Sequence, residues 1–342
     1  MVTVKKEGII LYHTDLDFEN DGVLNPAVYQ EGETVHLFYR AVRKGNFSTV
    51  GYAKLNGPLE VVDRLAKPLI GPSSAIDQQG VEDARIVKID GTFYMSYTSY
   101  DGLNALGSYA TSTDLKTFEK HGIIVPQLDY KTFCSLTAEI ANLDERYATY
   151  NCEKEGEERH GFISDKNLIF FPRLINGKFT FLHRIRPDIQ LAAVENLSEL
   201  TAEYWAEYVK NLDENILLTS KYDHESSYIG GGCPPIETPE GWLIIYHGVR
   251  KPEEGYVYSA CAALLDLENP EQEIARLPYP LFTPDQKWEL TGYVNNVVFP
   301  TGTARFDERL FIYYGAADKR IAAVSLNFDE LISALLENKI SL

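Results

Sequence analysis

The sequence of 342 residues has few cysteines, no long apolar run and no signal segment. Cys134, Cys152, Cys233 and Cys261 show no Cys-x-x-Cys spacing, so neither a zinc site nor a redox pair is indicated and free thiols are expected. No stretch reaches the roughly 18 to 20 apolar residues that a membrane helix needs. The apolar run at residues 8–12 is too short for a signal peptide, so a cytoplasmic location is expected.

Basic residues are in clear deficit, with 32 Lys and Arg against 50 Asp and Glu, a formal net charge of −18. Such a chain repels phosphate backbones and anionic lipid, so neither nucleic acid nor a membrane is expected as a partner. Nucleotide-binding and nucleophile-elbow motifs are also lacking. The glycines of residues 230–235 lead to two prolines and a strand, and not to the helix N-terminus that binds phosphate.

The sequence does contain one phrase that recurs five times: a short apolar strand, a tight turn and a strongly aromatic strand that ends in polar residues. The turns include Asp90-Gly91 and Asn176-Gly177, which tolerate the positive φ angles of hairpins. A third strand of small and β-branched residues follows each copy. The aromatic strands occupy residues 35–40, 93–98, 179–184, 242–247 and 310–315.

Antiparallel units repeated about 60 residues apart cannot bury their faces alone, but stacking them around an axis does so. The expected fold is therefore all-β, a five-bladed β-propeller formed by a single domain over residues 1–342. A β-sandwich is the alternative, although sandwiches show no recurring phrase. The polar stretch 116–163, with its glutamate-rich residues 153–158, is predicted to lie outside the blades.

Two helices are predicted beside the strands. Apolar and aromatic residues at helical spacing indicate a helical insertion at residues 197–212, and the sequence Asp-Glu-Leu-Ile-Ser-Ala-Leu-Leu indicates a C-terminal helix at residues 329–336. The insertion carries Trp205, and if exposed it would offer a surface for a homo-oligomer.

Polar residues concentrate at the ends of the entry and aromatic strands, which converge on the channel of a propeller. Amides, phenols, carboxylates and cations together suit a sugar pocket, because sugar hydroxyls donate and accept hydrogen bonds and sugar C–H faces stack on rings. The same groups would also satisfy a buried polar axis. The sharpest feature is Glu82-Asp83-Ala84-Arg85, in which strand alternation predicts that Asp83 and Arg85 share a face. An ion pair between blades is the structural alternative.

Several phrases, read in order from about residue 20 to 325, resemble glycoside hydrolase family 130, the family of inverting β-mannoside phosphorylases and related mannosidases. They include Asn25-Pro26-Ala27, Gly80-Val81-Glu82-Asp83-Ala84-Arg85, Leu182-His183-Arg184, residues 241–249, Asn295-Asn296-Val297-Val298-Phe299-Pro300 and residues 313–318. The resemblance implies a five-bladed propeller in which phosphate attacks the anomeric carbon of the nonreducing mannose and releases α-mannose 1-phosphate. No cofactor and no metal are implied, and inorganic phosphate is the co-substrate.

The resemblance also implies site residues. Asp83 would be the proton donor, acting through the mannose 3-hydroxyl. Asn25, Arg40 and Asp318 would hold the mannosyl unit, and the polar residues Glu82, Arg85, Asp101 and His247 at the strand ends complete the predicted substrate-binding set. The phosphate-binding set is Lys166, His183, Arg184 and Tyr314. An Asp83 carboxyl beside Arg85 would have a lowered pKa, which is unfavourable for an acid unless Arg85 points elsewhere.

The nucleophile decides between two activities. An inverting hydrolase needs a second carboxylate, roughly 6.5 to 9.5 Å from the first, whereas phosphate is itself a nucleophile and needs cations. Glu225 and Glu254 are the candidate water activators of a β-1,2-mannosidase. Among the phosphorylases the resemblance favours β-1,2-mannobiose or short β-1,2-oligomannosides, with a β-1,4-mannosyl phosphorylase as the alternative.

Two further alternatives share the architecture. A sugar-binding propeller without catalysis would keep the aromatic and amide ring but would not depend on Asp83. A furanosidase of the other five-bladed type would need three carboxylates at the blade starts. The blade starts are Asn25, Asp83, Asn167, Gly232 and Asn296, which supply one carboxylate.

Overall fold

The computed structural model describes residues 1–152 and 159–340, a chain dominated by strands with few helices. The glutamate-rich segment 153–158 lies outside the described residues, so its predicted position is not assessed. Every aromatic strand expected from the repeat is present as a strand and pairs on both edges.

The strands form five antiparallel units, numbered here in chain order. β1 (Val4–Leu11) precedes unit one, which contains β2 (Gly22–Glu31), β3 (Thr34–Arg43), β4 (Phe47–Asn56) and β5 (Glu60–Arg64). Unit two contains β6 (Gly80–Ile89), β7 (Thr92–Tyr100), β8 (Ala105–Ser112) and β9 (Glu119–Ile123). Unit three contains β10 (Asp165–Phe170), β11 (Phe179–Ile185), β12 (Ile189–Val194) and β13 (Ile216–Leu218). Unit four contains β14 (Tyr228–Gly231), β15 (Ile236–Thr238), β16 (Gly241–Arg250), β17 (Val257–Leu265) and β18 (Glu273–Arg276), and unit five contains β19 (Val298–Phe306), β20 (Arg309–Ala316) and β21 (Arg320–Asn327).

Within a unit, each strand pairs with the next, with two variations. In unit four, β14 and β15 together take the first position, and both pair with β16. In unit five, the fourth position is filled by β1, which runs antiparallel to β21 with Val4 opposite Leu326. The first strand of the chain therefore completes the last unit.

Backbone contacts also join each unit to the next one. They lie near the start of the first strand of that next unit. The contacts are the parallel pairs Ser48/Gly80, Leu106/Asp165 and Tyr258/Val297, and the hydrogen bonds from Ile229 N to Pro187 O (2.9 Å) and from Val23 N to Lys319 O (3.3 Å). Because the last of these links unit one to unit five, the series of junctions returns to its beginning.

The core consists of five buried clusters, and each lies between two consecutive units, with one between units five and one. Strand alternation explains this arrangement, because successive side chains point to opposite faces. On β3, Leu37 and Tyr39 pack toward unit five, whereas Phe38 packs toward unit two. Both faces of β3 are buried, and the burial of each large apolar side chain stabilises the fold by roughly 1.5 to 3 kcal/mol.

The helices lie outside the units. They are α1 (Tyr130–Thr137), α2 (Arg146–Asn151), α3 (Ala202–Lys210), α4 (Lys287–Leu290) and α5 (Phe328–Leu336). The predicted insertion helix and C-terminal helix are confirmed as α3 and α5. No helix in residues 1–152 and 159–340 is long and apolar enough to cross a membrane.

Two details of the insertions differ from expectation. The excursion between units two and three begins after β9, and not at residue 116, because β9 pairs with β8 as the last strand of its unit. Trp205 is buried, and its indole Nε1 donates to Ile124 O at 3.0 Å. The exposed surface predicted around Trp205 is therefore wrong, since the ring fills the cluster between units two and three.

The expectation of four free thiols is wrong for two of them. Cys134 of α1 and Cys152, directly after α2, form a disulfide, while Cys233 and Cys261 are free and buried. The sequence did not indicate the pair because their proximity comes from the packing of α1 beside α2 and not from a short motif.

A substitution of Gly232, which lies between β14 and β15, tests the contact between units four and five. A Cβ on Gly232 would overlap the carbonyl oxygen of Ile245 and approach Pro300 O to 3.1 Å, and both obstacles are backbone. Gly232→Ala is expected to lower the free energy of unfolding by about 1 to 3 kcal/mol in urea titrations. Gly71→Ala is the control, because its nearest neighbour is 3.8 Å away. Equal stability of the two variants would contradict the close approach.

Candidate active site

The first strands of units one to three carry a bulge at the same position. The register shifts between Leu24 and Ala27, between Glu82 and Arg85, and between Lys166 and Ile169. At each bulge an Asn or Asp takes a positive φ: 47° at Asn25, 51° at Asp83 and 56° at Asn167. Asn and Asp adopt this conformation more readily than other residues with a side chain, which explains their presence there. The bulge turns each side chain toward the interior.

The bulge also corrects the predicted facing of the Glu82–Arg85 segment. Simple alternation placed Asp83 with Arg85, but the extra residue lets Glu82 and Asp83 both contact Arg40. Arg85 instead donates to the carbonyl oxygens of Gly232 and Asp83 and is buried. Arg85 thus joins units two and four, and it does not line the cavity.

The interior residues border two cavities, an inner one of about 180 Å³ and an outer one of about 320 Å³. Both are bordered by Arg40, Lys166 and Asp318, so they form two chambers of one site. The inner chamber is further lined by Asn25, Asp83, Asn167, Arg184, Arg186, Tyr228, Tyr258, Val297 and Phe299. The outer chamber is further lined by Asp21, Gly22, Leu24, Val42, Asn46, Glu82, Tyr100, Tyr293, Val294 and Lys319.

One side of the site is built from carboxylates around Arg40. An oxygen of Asp83 accepts from Asn25 Nδ2 at 2.8 Å and lies 3.5 Å from an Arg40 nitrogen, while Glu82 accepts from Arg40 at 2.7 Å. Burial opposes ionisation of Asp83, but Arg40, Lys166 and the Asn25 hydrogen bond outweigh it and lower the pKa of this carboxyl. Burial, reinforced by the charge of Asp83, raises the pKa of Asp318 to about 6.

The opposite side of the inner chamber is cationic. Arg184 and Arg186 form no ion pair within 4.0 Å with any carboxylate of the described residues. Burial and the neighbouring Arg186 lower the pKa of Arg184 to about 10, so it stays protonated at neutral pH. The Arg186 guanidinium carbon lies 4.5 Å from the centre of the Tyr228 ring, a cation–π contact.

Lys166 lies where the two sides meet. Its ammonium is 3.9 Å from Glu82 Oε2, and both chambers border it. Burial and the nearby Arg40 and Arg184 lower its pKa, while Glu82 and Asp83 oppose this shift. An anion beside Lys166, Arg184 and Arg186 would neutralise their positive charge. None of the described carboxylates does this for the two arginines.

His247 supports the cationic side from behind. It is fully buried, and burial together with Arg184 and Arg85 lowers its pKa well below the usual range, so it is neutral. Its Nε2 therefore accepts from Arg184 at 3.3 Å. A Cβ on Gly230 would come within 2.6 Å of the imidazole, which explains the glycine. His247 orients Arg184 and does not itself line the chambers.

Two residues predicted near phosphate lie elsewhere. The ring of His183 contacts Asp165 and Tyr208 at 2.8 Å each, on the side of β11 opposite Arg184. Neighbouring residues of a strand face opposite ways, so His183 and Arg184 cannot both reach the site. The Tyr314 hydroxyl donates to Glu289 within the core between units four and five.

Asp101 is also outside the cavity. Its carboxylate accepts from the backbone N–H groups of Leu103 and Asn104 at 2.8 and 2.6 Å, closing a turn after β7. Such a turn is a common role for Asp and needs no ligand.

Four polar residues that line the inner chamber were not predicted as site residues: Asn167, Arg186, Tyr228 and Tyr258. Two of them had a usable signal. Asn167 stands at a predicted blade start, as Asp83 does, and Arg186 directly follows β11 and lies two residues after Arg184, a spacing that favours the same side. Tyr228 and Tyr258 hydrogen-bond through their hydroxyls across β14 and β17, a pairing that only the tertiary structure reveals.

The candidate water activators of the hydrolase alternative are not in the site. Glu225 is fully buried, accepts from the Tyr246 hydroxyl and from Lys221 N, and lies 3.5 Å from Arg276. Glu254 is exposed on the loop between β16 and β17. Ligand atoms of Glu225, His224 and Cys261 also lie within 4.8 Å of one another, a grouping that could hold a metal. The hydrogen bonds that occupy both Glu225 oxygens do not favour this.

Comparisons with known proteins identify the family of this chain. The profile of glycoside hydrolase family 130, described as β-1,4-mannooligosaccharide phosphorylase, matches residues 11–337. A 1,2-β-oligomannan phosphorylase from a Thermoanaerobacter species is 32% identical over 334 residues, covering 94% of this chain and 96% of the relative. A β-1,2-mannobiose phosphorylase from the same source is 32% identical over 331 residues, covering 92% and 93%.

Among solved structures, the β-1,2-mannobiose phosphorylase of Listeria innocua in complex with β-1,2-mannobiose superposes with a TM-score of 0.73 at 22% identity, over 97% of this chain and 99% of that one. At 22% identity, this structural similarity shows the fold alone. The sequence match along almost the whole chain is the stronger finding, and by it the chain belongs to glycoside hydrolase family 130.

Proposed function

We propose that this protein is an inverting glycoside phosphorylase that acts on β-1,2-mannobiose or short β-1,2-oligomannosides. It transfers the nonreducing mannosyl unit to inorganic phosphate and produces α-mannose 1-phosphate and a shortened sugar. The observation that carries the proposal is the division of one buried site into a carboxylate side and a cationic side whose arginines pair with none of the described carboxylates. The names of the two relatives at 32% identity support the β-1,2 linkage.

The cationic side is the phosphate site. Arg184 and Arg186 offer planar guanidinium groups that match phosphate oxygens, and Lys166 adds a point charge. A phosphate bound there faces Asp83 and Asn25 across an inner chamber of about 180 Å³. The sugar ring occupies the space between them, so that phosphate approaches the anomeric carbon from the side opposite the leaving oxygen.

Asp83 is the proton donor. The bond between the anomeric carbon and the bridging oxygen breaks as a phosphate oxygen forms a bond to that carbon, and the bridging oxygen receives the proton, relayed through the mannose 3-hydroxyl. Without ligands, Arg40 and Lys166 hold the Asp83 pKa low, which disfavours an acid. Phosphate beside Lys166 offsets that positive charge and raises the pKa of Asp83, so Asp83 is protonated and able to donate only when the nucleophile is in place.

The hydrolase alternative has less support. A water-activating carboxylate would have to stand on the cationic side, and Glu225 and Glu254 both lie elsewhere. The furanosidase alternative is disfavoured as well, because the bulge positions carry Asn25, Asp83 and Asn167, a single carboxylate among three. A β-1,4 linkage, named in the family description, remains the competing substrate.

A five-bladed propeller formed by one domain is the arrangement we propose for the five units. It is supported by the five clusters between consecutive units and by the junction of unit five with unit one. Contacts across the interior agree with it, because Asn25 of unit one contacts Asp83 of unit two, and Arg85 of unit two contacts Gly232 of unit four.

The activity is tested by incubation with β-1,2-mannobiose, with and without inorganic phosphate, while mannose 1-phosphate and free mannose are assayed. We expect mannose 1-phosphate only when phosphate is present, and a loss of about 10²- to 10⁴-fold in kcat for Asp83→Asn. β-1,4-Mannobiose is the parallel substrate, and faster turnover of it would move the assignment to the β-1,4 group. Free mannose formed without phosphate would refute the phosphorylase.

The phosphate site is tested by Arg184→Ala. Loss of a charge-assisted contact is expected to raise the KM for phosphate roughly 10- to 100-fold, while the KM for mannobiose changes less than about twofold. Arg173→Ala is the matched control, because Arg173 pairs with Glu237 and Glu268 at 3.0 and 2.9 Å on the surface. Equal increases in both KM values would argue against a phosphate-specific role.

Asp318 makes a pH-dependent contribution to stability. The pKa of Asp318 in the folded protein, about 6, exceeds the ordinary value of 3.8. Its stabilising contribution is therefore complete below pH 3.8 and is lost as the pH rises through about 6. Asp318→Asn should therefore raise the free energy of unfolding by about 1 to 3 kcal/mol near pH 7.5, and by much less near pH 4.5. Urea titrations at the two pH values measure this difference, and a stabilisation independent of pH would contradict it.

A further inference from the structure

Helix α2 lies directly behind the cationic side of the site. Asn151, its last residue, is buried, and its side-chain Nδ2 donates to Arg186 O at 2.7 Å. The same amide nitrogen donates to Tyr147 O at 3.0 Å, one turn earlier in the helix. The backbone of an inner-chamber arginine is therefore anchored on an element that belongs to none of the five units.

The same helix holds a second wall of the chamber. The Tyr150 hydroxyl lies 3.0 Å from Ser227 Oγ, and its ring meets the ring of Tyr228 edge-on at 6.1 Å. The Arg186 guanidinium carbon is 5.9 Å from the centre of the Tyr150 ring and 4.5 Å from that of Tyr228. Arg186 is thus held between a tyrosine of α2 and a tyrosine of β14.

On its own, α2 is a weak element. It has six residues, and the residue before it makes no side-chain capping hydrogen bond. Helices this short are not stable without tertiary contacts. The Cys134–Cys152 disulfide joins the residue after Asn151 to α1, whose Phe133 is fully buried in the cluster between units two and three. Both cysteines are partly exposed, so a soluble thiol can reach them.

We propose that Asn151 positions Arg186 for phosphate and that the Cys134–Cys152 disulfide holds α2 in place, so that reduction of the disulfide lowers the affinity for phosphate. The inference rests on the proposed function of the cationic side. A dithiol supplies two electrons and two protons: the sulfur–sulfur bond breaks, both cysteines become thiols, and the dithiol closes to its own disulfide. Because reducing compartments keep such pairs as thiols, the state of this pair follows the surroundings of the protein.

The test compares the oxidised and the dithiothreitol-reduced full-length protein, and thiol titration after denaturation should give two and four thiols respectively. Kinetics with β-1,2-mannobiose are then measured at varied phosphate and at varied sugar. We expect reduction to raise the KM for phosphate roughly five- to twenty-fold, since one cationic ligand is displaced, and to leave the KM for mannobiose within about twofold. Asn151→Ala should produce the same selective increase in the oxidised protein.

Two controls isolate the effect. Asn338→Ala removes an equivalent amide, which donates to Ala334 O at 2.8 Å at the end of α5, and should change neither KM. The double variant Cys134→Ser/Cys152→Ser should show the raised KM for phosphate without any reductant, and dithiothreitol should not change this KM further.

The outcomes separate the two proposals. Absence of phosphate-dependent turnover by the oxidised protein would refute the proposed function itself. Phosphate-dependent turnover with an unchanged phosphate KM after four thiols have been titrated would overturn the role of the disulfide. Equal increases in the KM for phosphate and for sugar would show a general structural effect and would also overturn it. If reduction unfolds the protein, as far-ultraviolet circular dichroism would show, the Asn151→Ala result alone decides.

Discussion

The structure depends on a left-handed backbone conformation that one residue near the start of the first strand adopts in each of units one, two and three. That strand must be buried on both faces, yet it must also direct a polar side chain to the interior. A bulge with a positive φ at Asn25, Asp83 and Asn167 meets both demands. It moves Asp83 within reach of Asn25 and Arg40 and turns Arg85 away to a backbone carbonyl. The position of the proposed proton donor Asp83, and its contacts with Asn25 and Arg40, follow from this one backbone feature.

The charge distribution of the site differs from that of the molecule. The chain carries a formal net charge of −18, but Arg184 and Arg186 are placed where no described carboxylate pairs with them. Burying such groups is unfavourable unless a partner arrives, so the unliganded protein bears an electrostatic cost that an anion relieves. On the carboxylate side, burial raises the pKa of Asp318, whereas for Asp83 the effect of burial is outweighed by Arg40, Lys166 and the Asn25 hydrogen bond, which lower its pKa. A site that sets this cationic side opposite a carboxylate side is suited to binding phosphate and a sugar together.

Much of this could be predicted from the sequence, because repetition and alternation are local signals. The aromatic phrase located the central strand of each unit, and the polar residues at its end led to Arg40, Arg184 and Asp318, whereas Lys166 came from the family resemblance alone. Strand alternation, applied strictly, would have excluded His183 once Arg184 was chosen and would have added Arg186. The same rule failed at Glu82–Arg85, because a bulge cannot be read from alternation.

Other features depend on contacts between distant segments, and no local pattern reports them. Tyr314 was predicted near phosphate because it ends an aromatic strand, yet Glu289 of α4 draws its hydroxyl into the core. Asp101 has the composition of a site residue and the geometry of a turn. The Cys134–Cys152 disulfide and the Asn151 contact to Arg186 arise because α2 packs against unit three beside α1.

In the proposed reaction a phosphate oxygen attacks the anomeric carbon. The most direct measurement uses phosphate labelled with oxygen-18 at every oxygen, with β-1,2-mannobiose as substrate, and locates the label in mannose 1-phosphate by the isotope shift of its anomeric carbon in the NMR spectrum. We predict an α-configured product in which the oxygen between carbon and phosphorus carries the label. An unlabelled bridging oxygen, or a β-configured product, would contradict it.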